Sequence, residues 1–79
     1  MSRPTYKPGS ALSRMLAWTR KQGSKGTTAS EGAHRLGLSI STANSTMSKL
    51  SNDGWLKRIP RGGESHQGMM VTLYVYEEL

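Results

Sequence analysis

A glycine between two leucines, Leu36-Gly37-Leu38, followed at once by Ser39, limits this chain more than any other feature. Glycine after a helical run supplies the left-handed residue on which many helices end, with no Cβ clash. The serine two positions on is suited to accept from the orphan amides of a new helix. Two helices should therefore meet here across a tight turn. Upstream, Thr28-Ala29-Ser30-Glu31 has the form of a capping box, in which hydroxyl and carboxylate each satisfy an amide at a helix start. The spacing predicts a helix over Ala29–Leu36 with Ala29, Ala33 and Leu36 inward. Downstream, Ser39 or Ser41 caps a helix running to about Asn52, with Ala43, Met47 and Leu50 as its apolar stripe.

The remaining segments fit around this pair. Ser10 is a fitting cap for an earlier helix, Ala11 to Gln22, with Leu12, Met15, Leu16 and Thr19 on one face. Asp53-Gly54 signals a turn, and Trp55 to Pro60 reads as a strand with Trp55, Lys57 and Ile59 on one face. Arg61 to Gly68 holds three glycines and reads as a hairpin loop. Val71 to Tyr76 is the return strand, with Val71, Leu73 and Val75 facing one way and Tyr74 and Tyr76 on the outer face. The expected organisation is a flexible basic arm over residues 1–9, one domain over 10–76, and a short acidic tail over 77–79.

Composition narrows the function. Seventy-nine residues make one small domain with little room for a buried catalytic cavity. The formal charge of +6 favours a polyanionic partner, most simply nucleic acid. No cysteine is present, so thiolate metal sites and disulfides are excluded. Glu31 and His34 are three apart on one helix, but a zinc site wants three or four converging ligands, so no metal and no cofactor is expected. No nucleophile–base–acid set stands out, and we expect no enzymatic activity. No apolar run approaches the ~20 residues of a membrane span, and no signal peptide is read behind Met1-Ser2-Arg3-Pro4. The expected location is cytoplasmic, on the nucleoid.

The motifs Thr28-x-x-Glu31-x-Ala33-x-x-Leu36-Gly37-Leu38-Ser39, Ser41-Thr42-Ala43 and Leu50-x-x-x-Gly54-Trp55-Leu56 together resemble the winged helix-turn-helix superfamily, over about residues 10 to 76. The resemblance implies an α+β fold, three helices followed by a two-stranded β-hairpin wing. It also implies a DNA-binding transcriptional regulator, with the third helix in the major groove of double-stranded DNA and the wing and arm on phosphates. Bare single-domain regulators of this kind are similar to those of phages and prophages. The chain departs from the family pattern in two places. Gly32 replaces a large aliphatic residue, which weakens the helix by roughly 1 kcal/mol relative to alanine and leaves room for a neighbour, with Trp18 the candidate. The third helix also lacks the arginines such helices often carry.

Of the fourteen residues Ser39 to Asn52, seven are Ser or Thr and only Lys49 is charged. Helical spacing turns Ser41, Ser45, Ser48, Lys49 and Asn52 outward and leaves Thr42 and Asn44 on the flanks. Of these, Ser41, Thr42, Asn44, Ser45, Ser48 and Lys49, together with Ser39, are the candidate DNA-contacting residues of the helix. Asn suits adenine, the threonine methyl suits thymine, and hydroxyls discriminate poorly. Phosphate contacts are expected from Lys25, Arg35, Lys57, Arg58, Arg61 and His66, and from Arg3 and Lys7 in the arm.

Two other readings stay open. One is an architectural DNA binder of the excisionase or replication-accessory type. The other is a protein-binding winged helix, such as a phage-encoded inhibitor of a host complex. A homodimer or protein partner would be met through Trp18, Tyr74 and Tyr76. One expectation is already measurable. Ala43→Leu should overpack the crossing of the second and third helices and cost roughly 1–3 kcal/mol in urea denaturation; a neutral result would mean the helices cross elsewhere.

Overall fold

The computed structural model describes residues 3–61 and 71–78, the side chains of residues 60, 61 and 71 aside. Three helices, α1 (Ala11–Gln22), α2 (Ala29–Leu36) and α3 (Ile40–Asn52), are followed by two strands, β1 (Leu56–Arg61) and β2 (Val71–Tyr76). The strands pair antiparallel, from Leu56 opposite Tyr76 to Arg61 opposite Val71. This α+β layout is consistent with a winged helix.

Local chemistry sets the helix ends. The Ser10, Thr28 and Ser39 hydroxyls accept from the amides of Ser13 (3.2 Å), Glu31 (3.1 Å) and Thr42 (3.1 Å). Ser39, not Ser41, is thus the cap of α3. Only the threonine half of the capping box forms, since the Glu31 carboxylate makes no hydrogen bond among the described residues. Gly37 takes the left-handed conformation (φ 68°, ψ 33°), and both it and Leu38 donate to the Ala33 carbonyl. Those bonds end α2 and aim the chain into α3.

The core is small: Met15, Ala29, Ala33, Ala43, Met47, Leu50, Leu56 and Tyr74, with Leu12, Leu16, Leu36, Leu38 and Trp55 half-buried against it. Small residues on α2 and α3 let the helices approach closely. At Gly32 a Cβ would lie 2.6 Å from Met15 Sδ. The space is therefore filled by Met15, not by Trp18 as expected. Trp18 instead lies half-buried, its indole N–H donating to Thr27 Oγ1 (3.1 Å).

Between α1 and α2 the chain makes a 3-10 turn (Gly23–Lys25) and then pairs with the edge of β2. Thr27 N donates to Tyr74 O (2.9 Å) and Tyr74 N to Thr27 O (2.7 Å). Sequence patterning missed this bridge, and with it the true core face of β2. Tyr74 is only 8% exposed, on the helix side of the hairpin with Leu56, rather than on the outer face. β1 begins at Leu56, one residue later than expected, because Trp55 is still occupied by the exit from α3, donating its amide to Leu50 O (2.9 Å).

Gly26 sits where the backbone of this bridge passes β2. Its φ is +73°, and a Cβ there would lie 2.9 Å from the Tyr74 carbonyl oxygen. Gly26→Ala should cost about 3 kcal/mol, combining backbone strain with a main-chain clash. Gly9→Ala, also at positive φ but in open space, should cost about 1–2 kcal/mol. Equal midpoint shifts in urea would show that the clash with β2 carries no weight.

Candidate nucleic-acid interface

With Ala43, Thr46, Met47 and Leu50 buried, α3 shows Ser41, Thr42, Asn44, Ser45, Lys49 and Asn52 to solvent, with Ser48 half-buried. Ser39 is exposed but engaged: its hydroxyl accepts from Thr42 N and donates to Thr42 Oγ1 (2.9 Å). These two hydroxyls are tied to the cap, whereas Ser41, Asn44 and Ser45 make no side-chain hydrogen bond among the described residues. Ile40, which sequence reasoning did not single out, is 53% exposed at the first position of the helix.

Two cations gather on the second half of α3, where the helix dipole favours positive charge. Lys49 Nζ is 3.4 Å from Asp53 Oδ2, one turn on. Arg58 reaches over from β1, its Nη2 donating to Ser48 O (3.3 Å) and Asn52 Oδ1 (3.5 Å). A helix without arginines of its own thus carries a guanidinium lent by the hairpin. The sequence assigned Arg58 to the wing; strand alternation, which puts it on the same face as Leu56, was the available signal.

The other candidate phosphate contacts are dispersed. Lys57 is exposed on β1, on the alternate side from Arg58, and Lys25 is exposed in the 3-10 turn. The Arg35 guanidinium lies 5.2 Å from the centre of the Trp18 ring, on the α1 side of α2. The Arg61 side chain and His66 lie outside the described residues. Lys7 is exposed and accepts from Ser10 N through its carbonyl (3.1 Å).

Arg3 has a different place from the one expected of a loose basic arm. Its guanidinium sits 4.4 Å from the centre of the Trp55 ring and 5.7 Å from that of Tyr76, and Nη1 donates to Glu77 O (2.8 Å). Trp55 Nε1 donates to Pro4 O (2.8 Å), and the Tyr6 hydroxyl to Asp53 Oδ2 (2.6 Å). The arm is therefore laid along the exit of α3.

The three aromatic residues proposed for a protein partner do not form one surface. Tyr74 is in the core. Tyr76 lines an open groove of about 390 Å³ with Leu16, Ala17, Arg20, Lys21 and Trp55. Trp18 lines a separate one of about 490 Å³ with Lys25, Glu31, His34 and Arg35. Among the described residues no three His, Asp or Glu side chains converge as a metal site, and no helix is long and apolar enough to cross a membrane. No protein-family model matches the chain, and no curated protein matches it significantly.

Asp53 joins arm and helix, and its two neighbours polarise the site. The hydrogen bond from Tyr6, then Lys49, holds its carboxyl below the usual value. Burial, then Asp53, pushes the Tyr6 phenol up from 10.0 to about 12. Unfolding would release Tyr6 to ionise at its ordinary value, so this contribution to stability is full below pH 10 and lost as pH rises to about 12. The stability margin of the wild type over Tyr6→Phe should shrink across that window in denaturant titrations. A constant margin would mean that Tyr6 ionises as freely folded as unfolded.

Proposed function

We propose that this protein is a double-stranded DNA-binding transcriptional regulator that places α3 in the major groove. The observation that supports this best is the outer face of α3. It is a capped helix whose exposed side chains in the first half are small and polar apart from Ile40, followed by Lys49 and the borrowed Arg58 in the second. Small side chains allow close approach to base edges, and the two cations stand where a flanking phosphate backbone would pass. The +6 charge acts in the same direction at longer range. Lys57, Lys25 and Lys7 supply further phosphate contacts. Arg3 contributes by fixing the arm rather than by reaching DNA. Such a protein would work on the nucleoid, repressing by occlusion or recruiting a partner.

The test is selection from a random duplex library, with Ser45→Glu as control. Ser45 is exposed and its side chain makes no hydrogen bond among the described residues, so the change adds a carboxylate without disturbing packing. Lys49→Glu would also set two carboxylates against each other at Asp53, and is the less clean variant. The wild type should enrich one motif, and its affinity should fall with log salt at a slope near −5 if about six phosphates are neutralised. Ser45→Glu should bind that motif about tenfold more weakly with an unchanged melting temperature. Uniform recovery of all duplexes would favour the architectural reading, and recovery of none would remove DNA from the function.

A further inference from the structure

We propose that Ile40 and Asn44 form a two-residue reader of A·T steps, Ile40 taking the 5-methyl group of a pyrimidine and Asn44 the major-groove edge of an adjacent adenine. This rests on the DNA reading above and names what its leading edge recognises.

Ile40 is one of only two large apolar side chains substantially exposed among the described residues. Its neighbours Leu36 and Leu38 pack against the core, and it does not. Helix formation does not account for it either. The first turn of a helix favours acidic residues, and a β-branched side chain is stiff there. α2 places Glu31 in its first turn; α3 has no acid there at all. Among the described residues this aliphatic group is not packed into the core, and the first turn of α3 carries no carboxylate that would repel phosphate.

Asn44 lies one turn further on, along the same flank. It is exposed and its side-chain amide makes no hydrogen bond among the described residues, which leaves both donors and its acceptor for a base. The charged groups of α3 are in its second half, at Lys49 and beside Arg58. What the first half offers a base is thus an aliphatic surface next to a carboxamide. In the major groove these match the pyrimidine methyl and the N6/N7 edge of adenine. Each adenine pairs with a thymine that shows its methyl in the same groove, so neighbouring A·T pairs satisfy both groups. Methylated cytosine offers the same methyl without the adenine edge.

The probe is the motif enriched by the wild type, resynthesised with deoxyuridine replacing one thymidine at a time. At one position the loss of the methyl should weaken wild-type binding about fourfold, the worth of one buried methyl group. Ile40→Ser should lose a similar factor on the parent duplex and be indifferent to that deoxyuridine. Ile40→Val, which keeps an aliphatic surface, should stay sensitive. 7-Deazaadenine at the neighbouring pair should weaken the wild type but not Asn44→Ser. If deoxyuridine is harmless, while 5-methylcytosine in place of cytosine strengthens the wild type and not Ile40→Ser, the methyl contact stands with methylated cytosine as its source. An enriched motif with no effect of either methyl, or an Ile40→Ser variant as sensitive as the wild type, would overturn the inference while leaving the DNA reading intact. Absence of any enriched motif would overturn this inference together with the sequence-specific regulator reading, uniform recovery leaving an architectural binder and no recovery removing DNA altogether.

Discussion

Where α1 passes α2, Gly32 carries no side chain, and the thioether of Met15 occupies the space a Cβ would claim. Met47 of α3 reaches the same spot, its Cε 3.6 Å from that Cβ position. Three helices therefore meet around a pair of unbranched, adaptable side chains rather than around a large aliphatic residue on α2. The eight residues of α2 are too few to be stable alone, and a mid-helix glycine weakens them further. Burial against Met15 and Met47 compensates. The orientation of α3, and so of the face it presents, depends on this junction together with the small Ala33 and Ala43.

A second junction governs the far end of α3. Asp53 closes the helix, accepts from Tyr6 in the arm and pairs with Lys49 on the exposed face. Arg58 adds a link from the hairpin to the same helix end. Arm, hairpin and helix terminus are held together there through polar contacts. If α3 meets DNA as proposed, drawing Lys49 from Asp53 toward a phosphate would leave Tyr6 as that carboxylate's remaining partner and would couple binding to the seating of the arm.

Most of the fold was legible in local signals. Ser10, Thr28, Gly37 and Ser39 act through residues three or four positions away, and the helices begin and end where those side chains dictate. The inward stripe of α3 also followed from periodicity alone. What could not be read was decided by contacts distant in sequence. Alternation in β2 shows that Leu73 and Tyr74 face opposite ways, but not which side meets the helices; the bridge to Thr27 and the packing of Tyr74 decide that. Trp18 was assigned to the space at Gly32 by size, yet the indole N–H found a buried hydroxyl at Thr27. Arg3 and Arg58 looked like surface charges because nothing nearby in sequence engages them. Ile40 carries no signal in the helical period, which marks apolar residues only where they face inward.

The hydrogen bond from Arg3 to Glu77 spans 74 positions of sequence. Beside it, Glu77 N donates to Trp55 O (2.9 Å) while Trp55 Nε1 holds Pro4 O. The first and last described segments thus share one residue, Trp55, the arm through its indole and Glu77 through its main chain. In topological terms the domain is nearly a ring. The two segments that lie farthest apart in the described sequence are clamped to each other, and fraying at either one would loosen the other.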